Sequence, residues 1–266
     1  MKYINKSFSI ENIKAQNLAK KFNTPIYCYS YKLLKENIIN FNKNFKSFKP
    51  LVCFAVKANS NIGILKEIRK LGLGADVVSM GELMKALKAG ISPKKIVFSG
   101  VGKTSLEINY AIDKKILLIN AESISEVKEI EKIAKAKKKV IDIGIRLNPN
   151  TDAKTLFQIS TGKKENKFGV DEKIFLQLVK YSNNSKNINL KCLSVHIGSQ
   201  ITDHKPYVKM LNVIDKIIKK SNHQFEFIDL GGGMGISYFD KIKKLNYKKY
   251  NNAINKFLKT HNSKII

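Results

Sequence analysis

From Leu51 onward, short apolar runs alternate with amphipathic stretches of helical period, and this alternation constrains the fold more than any other feature. Strands are expected over 51–57, 74–78, 95–99, 116–120, 140–147, 190–197 and 225–230. Helices are expected over 62–71, 81–89, 123–137, 172–181, 207–219 and 247–259. Such an order requires parallel strands joined by crossover helices. An open doubly wound sheet and a closed eight-stranded (β/α) barrel both satisfy it. Open sheets gather their chemistry at one switch point, whereas barrels carry it on the carboxyl ends of many strands. Here Lys57, Asp76, Ser99, Asn120, Arg146, His196 and the glycines after Leu230 all stand at such ends. The expected fold is therefore α/β, a TIM-type barrel. Residues 263–266 read as the opening of an eighth strand. A barrel stopping there is expected to be short of most of that strand, with an unpaired edge beside the first.

At 266 residues the chain has room for one such barrel. Its formal charge of +28 raises the question of an anionic partner. Only two of the 49 basic residues are arginines, Arg69 and Arg146. Base and bidentate phosphate recognition favour arginine's planar fork, and the lysines are spread along nearly the whole chain. The charge thus reads as compositional bias, and no nucleic-acid partner is expected. No apolar run approaches a membrane span, and the N-terminus lacks the apolar core of a signal peptide. Cys28, Cys53 and Cys192 show no metal-ligand spacing. A cytoplasmic, reduced protein without metal or membrane partner is the expectation.

Lys57 closes the apolar run Leu51–Val56. Read as a buried amine, it would have its pKa driven down and act as a nucleophile toward a carbonyl; read otherwise, its head snorkels into water. His196, at the end of Leu193-Ser194-Val195, is either a satisfied core histidine or a ring that stacks on a flat cofactor or shuttles protons. Ser199 is a loop turn or a phosphate-holding hydroxyl. Gly231-Gly232-Gly233 is a tight loop or a nest of amides for an anion; Ile236 stands where a dinucleotide fingerprint needs glycine. Asp76 is a surface ion pair or a carboxylate orienting a neighbour. Arg146 is a salt bridge or an anion partner. Lysine nucleophile, stacking histidine and glycine nest together describe a site for pyridoxal phosphate.

Four motifs carry a family resemblance. Phe54-Ala55-Val56-Lys57-Ala58-Asn59, Gly74-Ala75-Asp76-Val77-Val78-Ser79-Met80-Gly81-Glu82-Leu83, His196-Ile197-Gly198-Ser199-Gln200 and Asp229-Leu230-Gly231-Gly232-Gly233-Met234-Gly235 resemble the alanine-racemase-type, fold-III pyridoxal-phosphate decarboxylases. The segment 160–169 and the glutamine after Ser199 are similar to the diaminopimelate decarboxylase branch. Thr24–Tyr29 resembles the family's first strand, so 1–30 is expected to pack with a β domain and 31–266 to form the cofactor barrel. The resemblance implies that Lys57 carries pyridoxal 5'-phosphate as a Schiff base and that His196 stacks on its ring. It implies that Ser199, Gly232 and Gly233 hold the phosphate, and that Asp76 and Arg146 border the Schiff-base side. The implied reaction is decarboxylation of the small-molecule amino acid meso-2,6-diaminopimelate to L-lysine, by a homodimer in the full-length form. Alternatives are a decarboxylase of ornithine or arginine type, or a non-catalytic pyridoxal-binding barrel. The family's Glu-Pro-Gly-Arg motif and C-terminal β domain do not follow Ile266, and Leu156 stands where the family has histidine. The 266-residue chain alone is accordingly expected to have little or no activity.

Overall fold

The computed structural model describes residues 2–4, 6–153, 161–162, 168–236 and 245–266, and its contacts fall into two compact units, Met1–Lys46 and Ser47–Ile266. Leu156 and most of the 160–169 segment lie outside the described residues.

In the first unit, β1 (Lys2–Ile4), β2 (Ser7–Ile10) and β3 (Ile13–Lys14) form an antiparallel meander followed by α1 (Ala15–Phe22) and α2 (Tyr31–Asn44). The Glu11 carboxylate accepts from the Ser30 hydroxyl and the Lys32 amide, both at 2.9 Å, so the meander holds the start of α2. The strand expected over 24–29 does not form: no described strand pairs with it, and Tyr27 is 92% exposed. An extended segment without a partner ladder leaves its backbone to water.

In the second unit, eight parallel strands alternate with helices. They are β4 (Cys53–Ala55), β5 (Gly74–Val77), β6 (Ile96–Phe98), β7 (Leu118–Ala121), β8 (Ile141–Arg146), β9 (Ile188–Ser194), β10 (Phe227–Asp229) and β11 (Lys264–Ile265). Each pairs with its sequence neighbour, in the order β4 to β11. The connecting helices are α3 (Ile62–Lys70), α4 (Met80–Lys88), α5 (Ser105–Asp113), α6 (Ile124–Ala136), α7 (Glu172–Asn184), α8 (Lys205–Ser221) and α9 (Tyr247–Leu258). The edge expected beside the first strand is present, since β11 pairs only with β10 and β4 only with β5 among the described residues; the Leu51 N–H, just before β4, donates to the Ile265 carbonyl at 2.8 Å. That hydrogen bond links the two ends of the curled sheet, while β11 and β4 remain its edge strands with no ladder between them among the described residues. No helix among the described residues is long and apolar enough to cross a membrane.

The strands' two-residue period sorts side chains between the barrel interior and the helix layer. Val97, Leu118, Cys192 and Phe227 form an apolar interior layer, with Cys53 and Ile266 packed against it. One step toward the carboxyl ends the interior turns polar. Asn120 donates to the Asp229 carboxylate at 2.9 Å, crossing the interior from β7 to β10. Outside, Leu65, Ile68, Leu83, Ile108, Val127 and Ile130 are buried at 1% exposure or less, each contributing about 1.5–3 kcal/mol.

Helix starts are fixed by the sequence. Asn61, Ser79, Thr104, Ser123, Asp171 and Asn246 each accept a backbone N–H of the first turn. Helix α5 has no counterpart in the sequence expectation, although Thr104 and Glu107 form a full capping box.

Gly74 of β5 leaves no room for a side chain: an added Cβ would lie 2.1 Å from the Lys95 carbonyl oxygen. Gly74→Ala is expected to cost about 3 kcal/mol in urea denaturation. Gly102→Ala, with nothing within 4 Å of the new carbon, is expected to change stability by less than about 1 kcal/mol.

Candidate active site at the carboxyl ends of the strands

Lys57 follows β4, but the strand ends at Ala55 and a 3-10 turn spans Val56–Ala58. Val56 takes the buried position and Lys57 is exposed. The expectation of a buried amine is thus corrected, because the turn carries Lys57 out at the rim. The enclosed lysine of this face is Lys103, missed from sequence, whose side chain is 0% exposed. Its ammonium donates to the Glu126 carboxylate at 2.6 Å and to the carbonyls of Gly100 and Asn120. It therefore ties the end of β6 to the end of β7.

Asp76 of β5 sits within electrostatic reach of Lys57, Arg146 and Asp229. Burial pushes its carboxyl up to about 6, against a Ser99 hydrogen bond and the two cations, with the Asp229 charge adding to the rise. Its Oδ1 is enclosed and accepts nothing from the described residues. Asp229 is raised too, by burial, although Gly231, Ser194 and Asn120 all donate to it.

Arg146, at the end of β8, donates to both oxygens of Glu122 at 3.0 and 3.1 Å. Glu122 is 6% exposed and also accepts the Gly100 and Gly169 amides. The salt-bridge reading of Arg146 therefore holds. Its charge still reaches the site, being felt by Asp76, His196 and Asp229. Glu122 was not singled out from sequence; a lone glutamate after an apolar strand gives no signal that three donors converge on it.

His196 lies just beyond β9. Its Nδ1 accepts the Gly232 amide at 3.2 Å, so a proton on the neutral ring sits on Nε2. Burial, then the charges of Arg146 and Lys57, lower its pKa to about 3, and the ring is neutral at physiological pH. The glycine loop after β10 packs on the 196–201 turn. A Cβ on Gly231 would meet the Val195 carbonyl at 2.5 Å, and one on Gly233 the Gly198 carbonyl at 1.8 Å. Both glycines have positive φ, 64° and 81°. Gly232 has nothing within 4 Å of where its side chain would be. Ile201 donates to the Gly233 carbonyl at 2.9 Å, which aligns this loop with the turn containing Ser199.

A loop built of backbone with one open side, a neutral flat ring beside it and an amine at the rim suit a flat, phosphorylated ligand. A family model described as "Pyridoxal-dependent decarboxylase, pyridoxal binding domain" matches residues 32–265. The chain belongs to that family and carries its pyridoxal-binding domain. It is similar to diaminopimelate decarboxylase of Helicobacter pylori (strain J99), 45% identical over 237 residues, 87% of this chain and 58% of the relative. The protein of that name from Haemophilus influenzae is 40% identical over 254 residues, 94% of this chain and 61% of the relative. A crystal structure of diaminopimelate decarboxylase from Helicobacter pylori complexed with L-lysine matches with a TM-score of 0.90 at 41% identity, covering 94% and 64% of the two chains. The chain thus spans less than two thirds of the length of these relatives.

Asp76 binds its proton more tightly folded than unfolded, where its pKa is 3.8. Its contribution to stability is fully present below about pH 4 and is lost as pH rises through about 6. Asp76→Asn is therefore expected to leave stability near wild type at pH 4. At pH 7.5 it should raise stability by about 1–3 kcal/mol in paired urea titrations of the cofactor-free chain. A gain confined to low pH would reverse the sign.

Proposed function

We propose that this chain is the cofactor-holding barrel of a pyridoxal-phosphate-dependent decarboxylase that converts meso-2,6-diaminopimelate to L-lysine. The observation that carries the reading is the convergence of Lys57, Asp76, His196 and the glycine loop on one barrel end, in a chain whose family match runs over 32–265. The named relatives, 40% and 45% identical, point to diaminopimelate as substrate.

In this reading Lys57 holds the cofactor covalently through its ε-nitrogen, and its exposed position gives an entering aldehyde access. Ser199 and the loop at Gly232 and Gly233 would hold the phosphate, the Gly232 amide itself being taken by His196. His196 presents a neutral face to the pyridine ring, and its fixed Nδ1 contact prevents the imidazole from turning. Asp76 would border the covalent linkage, where its enclosed Oδ1 would be free to accept a hydrogen bond. Arg146, anchored by Glu122, keeps positive charge on that side without moving. Pyridoxal phosphate bound there supplies an electron sink for the pair left when a carboxylate departs as CO₂. The full-length protein is read as a cytoplasmic homodimer, a compartment in which the free thiols Cys28, Cys53 and Cys192 stay reduced.

Stoichiometric pyridoxal phosphate followed by borohydride is expected to give one dominant modified peptide, containing Lys57, by mass mapping. Lys57→Ala should lose that peptide and the visible absorbance band. Adding meso-diaminopimelate should shift the band at concentrations where ornithine and arginine do not. Labelling elsewhere would contradict the role of Lys57, and a stronger response to ornithine would contradict the substrate.

A further inference from the structure

A buried tyrosine beside the glycine loop has no part in the reading above. Tyr207, in the first turn of α8, is 0% exposed. Its ring stacks on Tyr250 of α9 with centroids 4.3 Å apart and planes at 26°. Phenylalanine would fill the same space. A phenol enclosed without a partner would cost about 1–3 kcal/mol, and this one donates to the Gly232 carbonyl oxygen at 3.0 Å. Burial pushes its pKa up, so the hydroxyl remains a donor throughout the working pH range.

That carbonyl belongs to the peptide joining Gly232 to Gly233. In a trans peptide the C=O and N–H point in opposite directions. Holding the Gly232 oxygen on Tyr207 therefore turns the Gly233 N–H the other way. The two preceding amides are already used: Gly231 donates to Asp229 and Gly232 to His196. The Gly233 amide donates to none of the described residues. With glycine on both sides, the peptide has little intrinsic preference between its two orientations. The flipped one would turn a carbonyl oxygen toward an incoming anion.

We infer that Tyr207 is a positioning residue: it orients the Gly232–Gly233 peptide so that the Gly233 N–H is presented to the phosphate of the cofactor. The inference rests on the reading of this loop as a phosphate site. It makes Tyr207 a determinant of the preference for a phosphorylated aldehyde over its unphosphorylated form, acting through the backbone without touching the ligand.

The test compares pyridoxal phosphate with pyridoxal, which lacks the phosphate. Both are titrated into the chain and into Tyr207→Phe, with the Lys57→Ala signal subtracted to remove reaction at surface lysines. Tyr207→Phe keeps the ring stack. It is expected to weaken pyridoxal phosphate about tenfold, the loss of one hydrogen bond's worth of orientation, and pyridoxal less than twofold. Equal losses for both ligands, or none, would mean that Tyr207 only packs two helices, and the inference falls. A wild-type chain without preference for the phosphorylated ligand would instead overturn the phosphate reading, and the inference with it. A second measurement needs no variant. Inorganic phosphate added to ¹⁵N-labelled chain is expected to shift the Gly233 amide more than those of Gly231 and Gly232, and the reverse order overturns the proposal.

Discussion

The contact on which the site depends is a single hydrogen bond from the Gly232 amide to Nδ1 of His196. It joins the turn after β9 to the loop after β10, and it exists only while the imidazole is neutral, since a protonated ring offers two donors and no acceptor. The molecule keeps the ring neutral by partial burial and by placing the cations of Arg146 and Lys57 nearby. Loop and ring are then one unit. Ile201 and Gly235 extend it, with Ile201 donating to Gly233 and Gly235 donating to Ile201. Gly231 and Gly233 are required because carbonyls of the neighbouring turn lie where a Cβ would be.

Beneath that unit the barrel interior changes character over one strand period. The apolar layer around Leu118 and Phe227 gives way to Asn120, Ser194 and Asp229, then to the ion pairs Arg146–Glu122 and Lys103–Glu126. Charges this enclosed persist because each is paired and further hydrogen-bonded. The chain's large positive excess is mostly spread elsewhere. The site layer itself holds four carboxylates, Asp76, Glu122, Glu126 and Asp229, against Lys57, Lys103 and Arg146. Burial, with the Asp229 charge adding to it, therefore lifts Asp76 to about 6 against the pull of Lys57 and Arg146, even in a protein of net charge +28.

The order of strands and helices after Leu51 was legible because each element carries its own period and most helices their own cap. The strand-end positions of Asp76, Arg146 and His196 followed from that order. Helix α5 escaped because its buried residues Ile108, Ala111 and Ile112 make a short stripe; the Thr104–Glu107 box was the available signal. Lys57 was placed correctly along the chain but with the wrong burial, since a 3-10 turn after an apolar run leaves no mark in composition. Lys103, Glu122 and Tyr207 were invisible for a different reason. Each acts on a backbone group from another part of the chain, and only the folded sheet brings those groups together.

The most direct test of this account is the titration of His196 by NMR in chain carrying ¹⁵N-labelled histidine. The account predicts a neutral ring protonated on Nε2 across pH 5 to 8, with protonation deferred toward pH 3. A ring that titrates near its ordinary value of 6.5, or that carries its neutral proton on Nδ1, would show that the glycine loop does not hold the imidazole.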